Sequence, residues 1–187
     1  MTLKDWFEKG LKPEQYMDQM EQNKENVQQI QSAFQLAKME ASFLSRLQEE
    51  NLKAIVITED WCGDAMMNVP IFLELAQHAH IDVRILYRDQ NLELMDQYLT
   101  NGTSRAIPII IFFNEEDEEK VVWGPRAQAV QELVSSKRSS LPPLDHELFE
   151  QKQREMYQEL NHAFLTEKGL WQEVYRSMKT ALTEKLI

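Results

Sequence analysis

The chain has 187 residues, 43% of them hydrophobic and 27% charged, which provides for a packed domain and argues against disorder. A formal net charge of −11 sets its surface against phosphate backbones and anionic lipid, so neither nucleic acid nor membrane is an expected partner. No apolar run approaches the roughly 20 residues of a membrane span, the N-terminal stretch has no signal-peptide pattern, and one cysteine cannot form an internal disulfide, so a reducing cytoplasm is the expected compartment.

Residues 1–50 read as helix. Leu3, Trp6 and Phe7 form a short apolar face, and Pro13 suits the first turn of a second helix carrying Tyr16, Met17 and Met20. A longer helix is expected over 24–50, where Val27, Ile30, Phe34, Ala37, Ala41, Leu44 and Leu47 recur at steps of three and four. The period then changes. "KAIVIT" (53–58) reads as a strand buried on both faces, followed by a helix over 62–80 interrupted at Pro70. "IDVRILY" (81–87) is a second strand, and "QNLELMDQYLT" (90–100) an amphipathic helix stopped by Asn101-Gly102. "IPIIIFF" (107–113) and "KVVWG" (120–124) form a hairpin across the acidic turn "NEEDEE", and a helix over 125–137 starts at Pro125. After "LPPL", helices are expected over 145–166 and 170–186. Their apolar faces must dock on the domain's own sheet or on a second subunit as a homodimer surface. The division expected is a helical extension over 1–50, an α/β domain over 51–138 and a C-terminal helical extension over 139–187.

The order β-α-β-α-β-β-α implies a mixed four-stranded sheet with helices on both faces, parallel within strand–helix–strand units and antiparallel between the last two strands. Three features then stand out. Trp61-Cys62-Gly63 lies where a buried strand meets a helix, Pro70 follows Cys62 by eight residues, and Ile107-Pro108 opens the third strand. With the strand order, these resemble a thioredoxin-like fold over about residues 50–137, and "DWCGDA" with helical flanks resembles a bacterial thioredoxin-like group. The resemblance implies a cis Ile107–Pro108 bond lying against Cys62. It also implies Cys62 as the catalytic nucleophile, with Trp61, Gly63, Ile107 and Pro108 contacting substrate. Two departures matter. Where dithiol thioredoxins carry a second cysteine this chain has Ala65, and where many bury an acid it has Val56.

A thiol at a helix N-terminus is drawn toward the thiolate by unpaired N–H groups. Asp64 opposes this by its charge, Asp60 either caps the helix or opposes it too, and Arg105 is placed to swing toward the sulfur. The expected chemistry is monothiol thiol–disulfide exchange through mixed disulfides, with a protein or low-molecular-weight thiol as partner and no cofactor. The alternatives are a non-catalytic peptide-binding module and a single-cysteine redox sensor. His78, His80, His146 and His162 have no zinc spacing, and no metal is expected.

Overall fold

The computed structural model describes residues 1–36 and 40–187. The N-terminal helices are α1 (Leu3–Lys9), α2 (Pro13–Gln19), α3 (Lys24–Ala33) and α4 (Ala41–Glu49). Thr2 caps α1: its hydroxyl accepts the Asp5 N–H at 3.2 Å while the Asp5 carboxylate accepts the Thr2 N–H at 2.8 Å. The single helix expected over 24–50 is thus two. Phe34 takes an extended conformation (φ −92°, ψ 127°) and ends α3. Val27, Ile30 and Phe34 of the first segment and Leu47 of the second are all buried in the core. Ala37 lies outside the described residues.

Next come β1 (Lys53–Thr58), α5 (Gly63–His78), β2 (Asp82–Tyr87), the one-turn α6 (Leu92–Met95), β3 (Ile109–Phe113), β4 (Glu119–Trp123) and α7 (Gln128–Ser139). The strands form one mixed sheet in the order β2-β1-β3-β4. β1 and β2 are parallel, as one strand–helix–strand crossover demands. β3 runs antiparallel to β1, with Ile57 opposite Ile109, and not parallel as the second such unit implied. That orientation explains why the helix expected over 90–100 shrinks to Leu92–Met95. β2 ends and β3 begins at the same end of the sheet, so no long crossover is needed, and the chain after α6 folds into turns through Asn101 (φ 53°) and Gly102 (φ 71°). The middles of the core strands are apolar: Ile55, Val56, Ile57, Ile110, Ile111, Phe112 and Phe113 are all buried. Each such side chain contributes about 1.5–3 kcal/mol of burial.

Two long helices, α8 (Phe149–Thr166) and α9 (Lys168–Leu186), follow. Both dock on this chain, against α5 and α7, and α9 also lies on β4. Met156, Leu160 and Phe164 line the buried stripe of α8, and the Trp123 indole N–H donates to the Ser177 hydroxyl of α9 at 3.0 Å. At the other end of the sheet, Leu11 pairs with Ile85 through two backbone bonds of 2.9 and 2.8 Å, which seals part of the free edge of β2. Among the described residues, no helix is long and apolar enough to cross a membrane.

Candidate functional site

The antiparallel placement of β3 brings four chain segments to one end of the sheet: the exits of β1, β2 and β4, and the entry to β3. Cys62 stands there as the N-cap of α5, in extended conformation (φ −80°, ψ 119°). Its side chain is aimed inward, with the residue 8% exposed, and the sulfhydryl donates to the Ile107 carbonyl at 3.5 Å. The Ile107–Pro108 bond is cis. Pro70 sits inside α5 and cannot offer an N–H to the Met66 carbonyl.

Gly124 holds this arrangement from behind. At φ 130° it occupies backbone space that side chains disfavour, and a Cβ there would lie 2.2 Å from the Pro108 carbonyl oxygen. The Gly124–Pro125 bond is also cis. The Asn68 side chain, fully buried on α5, donates to the Pro125 carbonyl at 3.0 Å and so ties the loop to the Cys62 helix.

The charge beside the thiol is a half-buried ion pair. Arg126 clamps Asp64 through two bonds of 2.6 Å, Nε to Oδ1 and Nη2 to Oδ2, and donates to Gln131 at 2.9 Å. Burial pushes the Cys62 thiol up to about 11, and the Asp64 carboxylate adds to this; the backbone N–H groups of Ala65 and Asp64 and the Arg126 guanidinium pull the other way. The helix terminus therefore does not prevail.

This raised value couples to stability. The folded protein keeps the Cys62 proton between about pH 9 and 11, where an unfolded chain releases it, so stability is unaffected below that window and falls as pH rises through it. The loss is about 2–3 kcal/mol from this group. In urea titrations from pH 7 to 11, the stability difference between wild type and Cys62→Ser should stay flat to about pH 9 and then shift against wild type. A constant difference would contradict the buried-thiol assignment.

The other residues singled out from sequence fall in different places. Trp61 is 44% exposed, with the Arg88 guanidinium 5.0 Å from its ring centroid. Asp60 does not cap α5: its Oδ2 accepts the N–H groups of Glu21 and Gln22 at 2.8 and 3.0 Å, fastening the α2–α3 turn to the site. Arg105 does not reach the sulfur. It is held in a bidentate pair with Asp96, at 2.6 and 2.9 Å. Gly63 lies against α8, where an added Cβ would meet the Asn161 Oδ1 at 2.1 Å. The cation that faces the thiol is Arg126, which sequence reasoning missed. Its signal was the Gly-Pro dipeptide directly before it, a loop at the exit of β4 that the topology brings to Cys62. Glu59 was missed too; it is buried and accepts the Asp89 N–H at 2.8 Å, joining the exits of β1 and β2.

A family model described as thioredoxin matches residues 10–140. The chain belongs to the thioredoxin family. The match begins within the N-terminal helical region, so the thioredoxin pattern reaches further toward the N-terminus than residues 50–137. The chain is also similar in fold to a crystal structure of a protein of unknown function from Pseudomonas aeruginosa (TM-score 0.63, 17% identity), covering 97% of this chain and 99% of that one. An HIV epitope scaffold is similar at TM-score 0.60 and 17% identity, again over 97% and 99% of the two chains. These likenesses cover the terminal helices as well as the thioredoxin core. No curated protein sequence matches the chain.

Proposed function

We propose that the protein is a monothiol thiol–disulfide exchange protein acting through Cys62, in a reducing compartment such as the bacterial cytoplasm. The observation that carries this reading is the position of the sulfur. It lies at the N-cap of α5, toward the N–H groups of Asp64 and Ala65, and against the Ile107 carbonyl beside cis Pro108. The Cys62 thiolate attacks one sulfur of a partner disulfide, the mixed disulfide forms, and the other partner sulfur leaves as a thiolate and takes up a proton. With Ala65 in place of a second cysteine, a thiol from a protein or a small molecule must attack the partner's sulfur in that mixed disulfide. This forms a new disulfide on the partner side and returns Cys62 to the thiolate.

The reading implies a slow enzyme at rest. Raising a thiol from 9.0 to about 11 cuts its thiolate fraction at pH 7 about 100-fold, and the greater nucleophilicity of the more basic thiolate recovers only about 6- to 10-fold. Iodoacetamide should therefore alkylate Cys62 at pH 7 about 10-fold more slowly than a free cysteine peptide, with the rate still rising past pH 9. Glutathione disulfide at pH 9 should yield a mixed disulfide on Cys62, visible by intact mass. No adduct at any pH up to 10 would sink the exchange reading.

Burial of the thiol favours a second reading, a peptide-binding module in which Cys62 is a packing residue. Under that reading Cys62→Ala retains its partner, whereas under exchange chemistry Cys62→Ala loses covalent capture altogether.

A further inference from the structure

Every residue of α5 from Asp64 to Phe72 is buried. A helix that lies on a sheet keeps one face in water, so a helix buried all round needs a second layer. Here α3, α8 and α9 supply that layer. The first turn of α5 meets α8: a Cβ on Gly63, the residue directly after Cys62, would lie 2.1 Å from the Asn161 Oδ1. One turn earlier on α8, Tyr157 lies near enough to Arg126 to act on its charge. The C-terminal extension thus closes over the helix terminus that carries the thiol, and Cys62 is left 8% exposed.

The hold on α8 is weak for a helix of its length. Three of its eighteen residues are buried, Met156, Leu160 and Phe164, against five of nineteen in α9. Its tie to α7 is the Lys137–Glu159 pair at 2.6 Å, both partners well exposed, and such pairs contribute little. The segment that leads into it, residues 141–148, makes hydrogen bonds that reach no further than Arg138 on one side and Lys152 on the other. Leu144 and Leu148 in that segment stand in water at 83% and 42% exposure. The other end of α8 is fixed: the buried Trp171 indole N–H of α9 donates to the Phe164 carbonyl at 2.8 Å, and the chain turns at Glu167 between the two helices. A long helix with a loose leading segment, a narrow apolar stripe and one anchored end is built to open locally while the rest of the fold stays shut.

We propose that α8 is a lid over Cys62, hinged at Glu167 and freed by the 141–148 segment, and that its opening sets how fast a disulfide reaches the thiol. The proposal rests on the exchange reading and names the regulation of that site. A disulfide must bring one of its sulfurs against the Cys62 sulfur, and the closed site leaves that sulfur little open surface. Lifting α8 strips the cover from Gly63 and the first turn of α5, while the sheet, the Ile107 carbonyl and α9 stay in place. Reaction then scales with the fraction of molecules in which α8 is open.

Two matched pairs of surface glycines on the full chain test this. Arg154 and Gln158 lie four apart on the wet face of α8, and Gln172 and Arg176 lie four apart on that of α9. Replacing either pair by glycine weakens its helix without touching a buried residue, by enough to raise local opening about tenfold. Mixed-disulfide formation with glutathione disulfide at pH 9, followed by intact mass, should run about tenfold faster in the Arg154→Gly, Gln158→Gly variant. The Gln172→Gly, Arg176→Gly variant should stay within about twofold of wild type. Hydrogen exchange read by mass spectrometry should show α8 amides exchanging ahead of those of α9 and α5, and faster again in the α8 variant alone. Equal acceleration in both variants would mean that the thiol is reached by global unfolding, and no acceleration in either that it is reached with α8 in place; each overturns the lid and leaves the exchange reading standing. Exchange of α8 in step with α9 overturns it too. If no variant forms an adduct, the exchange reading falls, and the same comparison made with iodoacetamide decides the lid by itself.

Discussion

Asp64→Asn is expected to wake the thiol. The carboxylate is one of the two groups of influences that hold Cys62 near 11, second to burial, and its removal leaves the Arg126 guanidinium beside the sulfur with no anion to neutralise it. Unit charges several ångströms apart at an effective dielectric near 20 interact by a few kcal/mol, so the thiolate fraction at pH 7 should rise about tenfold to a hundredfold. Because a less basic thiolate is also less nucleophilic, the alkylation rate should rise by a smaller factor, about 3- to 12-fold. The measurement is the pH profile of iodoacetamide alkylation, with the midpoint moving to lower pH. A midpoint that stays put or climbs would show that Arg126 follows Asp64 away from the sulfur once the pair is broken.

Gly124→Ala should cost the most stability of any single methyl added to the site. Two separate penalties meet there. A non-glycine residue at φ 130° is strained by about 1–3 kcal/mol. The new Cβ would also sit 2.2 Å from the Pro108 carbonyl oxygen, a backbone atom that cannot rotate aside, so the β3 entry must shift at a further cost of about 1–3 kcal/mol. For a chain of this size the sum corresponds to a fall in Tm of roughly 10 °C. The shift moves Ile107, whose carbonyl accepts from Cys62, so alkylation should quicken as the fold loosens. A calorimetric Tm within 2 °C of wild type would mean that the Gly124–Pro125 loop adapts without disturbing Pro108. Gly63→Ala is the informative contrast. Its contact is with the far end of the Asn161 side chain, which can swing away, so the stability cost there should be small.

The sequence carried the strands well because their signal is local: six-residue apolar runs such as Lys53–Thr58 need no knowledge of neighbours to be read. The placement of Cys62 at the start of α5, with Pro70 inside that helix, was legible for the same reason. What escaped was set by tertiary geometry. Steps of three and four through Val27, Ile30, Phe34 and Leu47 record which residues are buried, but not that the backbone turns extended at Phe34 between them, so the chain break left no trace in the periodicity. The direction of β3 is likewise invisible in Ile109–Phe113, and with it the shortness of α6. Charges near the thiol were the weakest inference. Arg105 is close to Pro108 in sequence yet spends its guanidinium on Asp96, while Arg126, more than sixty residues from Cys62, takes the Asp64 carboxylate. Proximity along the chain says little about ion pairing when four strand ends converge on one point.

The Leu11–Ile85 pairing has a consequence for solubility. A four-stranded sheet has two borders where unpaired amides can recruit the strand of another molecule and begin a cross-β aggregate. Here one border is β2, which Leu11 plugs with two backbone bonds, and the other is β4, whose Glu119 and Lys120 follow the acidic hairpin turn. The N-terminal dozen residues thus serve as a guard against self-assembly, and a fragment begun at the first strand would lose that protection together with the Glu21 and Gln22 N–H groups that hold Asp60.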